Sequence, residues 1–124
     1  MQKWFIVAGG GAIGTLLRFG LQTVSFHHLS PSFPYGTLFV NWTGCFLAGF
    51  FGAMILPSFL YHPHFKLFLF VGVLGGFTTY SGFAFETWTL ANDQEWLSAC
   101  INLFLHVFGC FAAIIGGIWV VRLI

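Results

Sequence analysis

The chain has 124 residues, of which 58% are hydrophobic and only 6% charged: 4 Lys+Arg against 3 Asp+Glu, a formal net charge of +1. With a mean hydropathy of +0.91, a water-soluble domain of this size would have almost nothing polar for its surface, so the membrane has to act as the solvent. So small a charge excess gives no electrostatic case for nucleic acid as a partner.

Crossing a hydrocarbon core of about 30 Å takes roughly 20 apolar residues, and the chain supplies four such stretches, near residues 4–25, 35–57, 66–89 and 97–121. The reading is an all-α membrane protein of one domain, residues 1–124, whose four transmembrane helices contact membrane lipid. The first stretch is too long for a signal peptide, contains Arg18 and is followed by no small-residue cleavage site, so it reads as a retained helix. Its Gly10/Gly14 pair forms a small-residue face on which another helix can lie closely.

The linker after it holds His27, His28, Ser30, Pro31, Ser32 and Pro34. The second span carries Thr37, Asn41 and Thr43 in its first half and a small face at Gly44/Ala48/Gly52. Asn41 has two readings: interhelical glue worth roughly 1 kcal/mol, or a pore residue whose NH2 offers two donors to an anion. His62, Pro63 and His64 mark the next linker. The loop histidines lack any fixed-spacing ligand set, and no metal site is read from them.

The third span has a small face at Gly72/Gly76 and then the run Gly75-Gly76-Phe77-Thr78-Thr79-Tyr80-Ser81-Gly82-Phe83. Back-to-back glycines and hydroxyls make poor continuous helix, and a broken helix in lipid requires partners for its freed backbone groups. Freed carbonyls can hold a cation, whereas freed N–H groups and the start of the second half-helix favour an anion. Tyr80 and Phe83, three apart, project from one face, with ring edges able to contact an anion, and Thr78, Thr79 and Ser81 add hydroxyls. A glycine-rich packing crossing is the competing explanation. Glu86 follows near the end of the span, on the same side of the membrane as Arg18. The two either form a structural pair or snorkel to the headgroups, or they charge the vestibule of a pore.

In the fourth span Asn102, His106 and Cys110 repeat every four residues and share a face, lining an aqueous track or facing partner helices. Gly109/Ala113/Gly117 forms its small face. Cys45, Cys100 and Cys110 stand at no metal-ligand spacing and read as reduced, buried small residues. Trp4, Trp88, Trp96 and Trp119 fall near span ends, at headgroup level. Lys3, Lys66 and Arg122 fall on the side of the termini and Asp93 and Glu95 on the other, a bias that places the termini in the cytoplasm. Four short spans bury little among themselves, so oligomerisation is expected.

These motifs resemble the CrcB/Fluc fluoride channel family: the run Gly75–Phe83 with Glu86, Gly10-Gly11-Ala12-Ile13-Gly14 with Arg18, and Pro34-Tyr35-Gly36-Thr37-Leu38-Phe39-Val40-Asn41 with Gly44, over essentially the whole chain. The resemblance implies a dual-topology antiparallel homodimer with two pores in a prokaryotic cytoplasmic (inner) membrane, passively exporting fluoride. It implies a structural Na+ at the dimer axis, held by the carbonyls of Gly75 and Thr78 from both subunits. It places Asn41, Tyr80 and Phe83 along the anion pathway and Arg18 and Glu86 at the pore ends; Thr79, Ser81 and His106 are the further pathway candidates read from the residues. The family usually has Phe at Tyr80 and Thr at Gly82, and a partner subunit of a heterodimeric channel is the alternative. A small multidrug-type exporter would need a membrane-embedded carboxylate in the first helix, which has none. A non-transporting assembly subunit leaves the Thr-Thr-Tyr-Ser break unexplained, and no nucleophile–base constellation supports an enzyme.

Overall fold

The computed structural model describes residues 1–28, 32–55 and 63–124, which are helical throughout their secondary structure. Helix α1 is Gln2–His28, α2 is Tyr35–Ile55, α3 is the composite segment 63–77, α4 is Tyr80–Asn92 and α5 is Trp96–Leu123. Four stretches are long and apolar enough to cross a membrane: Gln2–Ser25, Tyr35–Ile55, Pro63–Asn92 and Trp96–Leu123. The third is α3 and α4 in series.

Several boundaries differ from the sequence reading: the third span runs on to Asn92 rather than 89, and the fourth is Trp96–Leu123 rather than 97–121. His27 and His28, assigned to a linker, continue α1, because no helix breaker precedes Pro31. The third span begins at Pro63 rather than 66. Proline needs no N–H partner in a first helical turn, so it starts the helix and His64 follows inside it. Ser30, Pro31, His62 and the anticipated end of the second span at residue 57 lie outside the described residues. Asp93–Glu95 form the turn to α5, with Gln94 in the left-handed region at φ 66°. Trp4, Trp88, Trp96 and Trp119 are all exposed, as residues at headgroup level would be.

The small-residue faces set how the helices meet. Gly10 and Gly14 of α1 lie directly on the α3 backbone: a Cβ on Gly10 would come 2.7 Å from the Phe68 carbonyl, and one on Gly14 would run into the Val73 carbonyl. In return a Cβ on Gly76 would lie 2.6 Å from the Gly11 carbonyl. Contacts climb together along both helices, so α1 and α3 run parallel, backbone to backbone.

Helices α2 and α5 form the other close pair, also parallel. Gly49 meets the Ile114 carbonyl, Gly117 meets Phe46 and Phe50, and Gly109 seats the Trp42 indole, whose Nε1 donates to the Leu105 carbonyl at 3.0 Å. Gly52, expected on the packing face, faces open space; Gly49 is the contact residue instead. Among the described residues the most fully buried side chains are Val40, Asn102 and Thr37. Two of these three are polar, so the centre of the bundle is more polar than its lipid-facing rim, the reverse of a soluble protein.

Candidate functional site

The third span breaks at Thr78–Thr79. Gly75 and Gly76 are not the break: Gly75 has helical φ −65° and ψ −36°, and Thr78 N–H still reaches the Leu74 carbonyl at 3.0 Å. Upstream, Leu67–Leu74 is π-helical, a widened turn of the kind found at functional sites. The chain leaves the helix at Thr78, φ −79° and ψ 157°, and at Thr79, φ −147° and ψ 111°. Extended geometry suits a β-branched pair better than the helix does. Helix α4 then restarts with Thr79 as its N-cap, its Oγ1 accepting Gly82 N–H at 3.0 Å.

Asn41 of α2 makes the break possible inside a bilayer. Its Oδ1 accepts Thr79 N–H at 2.8 Å and its Nδ2 donates to the Thr79 carbonyl at 3.0 Å, a two-point match between an amide side chain and one backbone residue. Thr79 N–H would otherwise bond the Gly75 carbonyl, four residues back, so the same contact leaves that carbonyl without its helical partner. The reading of Asn41 as a donor pair for an anion is thereby corrected. One N–H is committed to the Thr79 carbonyl, because a buried break without partners costs more than the donor is worth elsewhere, and one N–H remains. Gly44, one helical turn further along α2, leaves room for the Thr78 methyl, where a Cβ would collide.

Three rings continue from the break. Tyr80 and Phe83 touch edge to face at 5.4 Å, and Phe83 stacks on the His106 imidazole at 4.3 Å. Their environments differ: Phe83 is 6% exposed and His106 4%, whereas Tyr80 is 81% exposed on the outside of the protomer. Ser81 is also exposed, its Oγ 3.3 Å from Thr79 Oγ1. Four of the sequence candidates, Asn41, Thr79, Phe83 and His106, therefore gather in a buried seam between α2, α4 and α5. Tyr80, Ser81 and Gly75 lie at the protomer surface, and Thr78 is half-buried with its hydroxyl turned back to the Leu74 carbonyl at 2.9 Å.

Glu86 is engaged by Thr37, not by Arg18. The Thr37 hydroxyl donates to Glu86 Oε1 at 2.6 Å and accepts from Gln22 Nε2 at 3.1 Å, while Glu86 Oε2 has no partner. Arg18 sits half-buried on α1, apart from this relay. Further along the seam Asn102 Nδ2 donates to Thr87 Oγ1 at 2.9 Å, and His106 Nδ1 faces the Asn102 carbonyl at 3.0 Å. Gln22 and Thr87 escaped the sequence reading. Gln22 lies one turn beyond Arg18 and Thr87 directly follows Glu86, so polarity within a span was the signal available for both. The cysteines divide: Cys100 is exposed, while Cys45 and Cys110 are half-buried neighbours on facing helices.

This arrangement sets an amide donor, hydroxyls and aromatic rings beside a helix break. Over residues 5–118 the chain matches the family described as CrcB-like protein, Camphor Resistance (CrcB). It is 41% identical over 122 residues to the fluoride-specific ion channel FluC of Sorangium cellulosum (strain So ce56), covering 98% of this chain and 96% of that one. It is similarly 43% identical over 113 residues to the fluoride-specific ion channel FluC of Aquifex aeolicus (strain VF5), covering 90% and 91%. To that of Aeromonas salmonicida (strain A449) it is 41% identical over 121 residues, covering 98% and 97%.

Proposed function

The chain belongs to the CrcB-like family, and on that footing we propose that it is a fluoride-specific ion channel of a prokaryotic inner membrane, which exports fluoride passively and so lowers its cytoplasmic concentration. It conducts rather than catalyses. The observation that carries the reading is the Asn41-capped break, after which Thr79 caps α4 and the buried Phe83 ring follows one turn on, stacked on His106. A compact anion can exchange its hydration for such donors and ring edges, and a larger halide fits them less well. Glu86 and Arg18 take the pore ends in this reading.

The working unit is a dual-topology antiparallel homodimer. In support, the lone protomer leaves Gly75 and Tyr80 of the broken span exposed, and irregular backbone at membrane depth is tolerated only against protein or water. A second copy over this face covers it. A structural Na+ fits the same face: the Gly75 carbonyl has lost its helical partner, Thr78 is extended, and two such carbonyls from each of two copies give an all-oxygen set. Gly75 and Thr78 would hold such an ion through carbonyl lone pairs, and it would join the two breaks; the chain's own part is the Asn41 contact, which takes the Thr79 N–H from the Gly75 carbonyl.

Fluoride efflux from liposomes containing only this chain tests the proposal. Fast fluoride release with chloride retained is the expected result. Equal chloride release, or no fluoride release from verified dimers, contradicts it. Release that appears only when a homologous chain is added assigns the protein to a heterodimer.

A further inference from the structure

Three buried side-chain atoms among the described residues have no hydrogen-bond partner: Glu86 Oε2, Asn102 Oδ1 and His106 Nε2. All three are acceptors. A carboxylate oxygen carries only lone pairs. The Asn102 amide is oriented by its neighbour: the Thr87 hydroxyl gives its proton to the Phe83 carbonyl at 2.8 Å, so towards Asn102 it can only accept, and Nδ2 must face it. His106 is fixed in the same way. Its Nδ1 lies 3.0 Å from the Asn102 carbonyl, which cannot donate, so the proton of the neutral ring sits on Nδ1 and Nε2 keeps a lone pair. The Thr37 carbonyl lies close to the ring as a further backbone acceptor, and Nε2 itself closes no hydrogen bond.

A neutral His106 therefore turns a lone pair into the seam, where a fluoride ion finds nothing to accept from. One proton on Nε2 reverses this. The nitrogen becomes a donor, and a positive charge appears against Phe83 and beside Thr37, whose hydroxyl bonds the Glu86 carboxylate. We propose that His106 is a proton-operated control residue of the anion path: neutral, it presents an acceptor and slows fluoride; protonated, it presents a donor and a charge and speeds it. This rests on the fluoride-channel reading. The other ionisable side chains on the helices packed around the ring are Tyr80 and Glu86 on α4, Tyr35 and Cys45 on α2, and Cys100, Cys110 and Arg122 on α5, of which Cys110 is one turn along. Of these, Glu86 is bonded by Thr37, and Tyr80 packs on Phe83, the ring stacked on His106.

Two measurements test the proposal. Fluoride efflux is recorded from liposomes carrying wild type or His106→Gln at about pH 8 and about pH 6, the range in which an imidazole changes charge. Release from protein-free vesicles is subtracted, because the undissociated acid crosses lipid unaided. Wild type should be several-fold faster at the lower pH and the variant flat; a flat wild type, or an equal slope in both, overturns the proposal. Independently, nitrogen-15 spectra of histidine-labelled wild type in bilayers, with the His106 signal assigned by its loss in His106→Gln, should show the Nδ1-protonated neutral ring at the higher pH and the doubly protonated ring at the lower. An Nε2-protonated neutral ring, or a ring neutral throughout, overturns it. If neither protein passes fluoride the channel reading fails, while the spectra still decide whether this proton site exists.

Discussion

The two halves of the third span are held by opposite means. Helix α3 lies on α1 through glycine against glycine, with backbone touching backbone. Helix α4 lies against α2 and α5 through hydrogen bonds of Asn41, Thr37, Glu86, Thr87 and Asn102, with Phe83 stacked on His106 between them. In lipid neither seam gains from the hydrophobic effect, since tails are as apolar as leucine; one gains from close packing and the other from directed bonds. The contrast explains where the break falls. A shape-matched seam tolerates no displaced backbone, whereas a polar seam can supply Asn41 to the two backbone groups that a break exposes.

The glycine seam should be the harder to perturb without loss of the fold. Gly14→Leu drives a side chain into the Val73 carbonyl, an overpacking cost of about 1–3 kcal/mol or more, and should leave little assembled protein by size-exclusion and thermal-melt assays. Gly9→Ala, whose Cβ meets nothing, is the control and should assemble normally. Equal behaviour of the two would mean that the seam is not held by close approach. On the polar seam Asn41→Ala leaves the Thr79 N–H and carbonyl buried and unpaired, about 1–3 kcal/mol for each group. Its melting temperature should fall clearly while α1 and α3 stay packed, so that hydrogen exchange speeds up around residues 78–82 first.

Thr37→Val should cost less, roughly 1.5–3 kcal/mol for one hydrogen bond to a charged group, because Glu86 and Gln22 can find water near the span end. The expected readout is a modest drop in melting temperature together with slower fluoride release; unchanged release would remove the Glu86 end from the pathway. Smallest of all is Tyr80→Phe. The phenol is 81% exposed in the protomer and its hydroxyl bonds nothing described, so stability should hold and flux per dimer should stay level or rise. A clear fall in flux would assign the hydroxyl a direct part in conduction.

Much of the fold was legible because hydropathy and small-residue spacing act over one helix at a time. The four spans and the Gly10/Gly14 and Gly72/Gly76 faces follow from that alone. The break was legible as a region but not as a position: glycine permits departure from a helix without requiring it, so Gly75 stays helical, and the pair that leaves is Thr78–Thr79 because Asn41 is there to receive it. That partner stands 38 residues away, a distance over which no local pattern speaks. The same holds for Glu86. Its charge suggested Arg18, but its oxygen is taken by Thr37, 49 residues away, which binds with a short bond and needs no buried second charge. At Gly82, the departure from the family's usual Thr, an added Cβ would lie 3.0 Å from the Thr79 methyl, so this glycine lets the Thr79 cap close tightly.

The most direct test compares wild type with Asn41→Asp in fluoride- and chloride-loaded vesicles, with release normalised to assembled dimer. The carboxylate keeps the size and the acceptor for Thr79 N–H, but it opposes the Thr79 carbonyl and repels an anion where water screens poorly. Fluoride release from wild type with chloride retained, and its loss in assembled Asn41→Asp dimers, is the predicted result. Wild-type fluoride release from the variant would contradict the account, because the capped break would then be scaffold and not pathway.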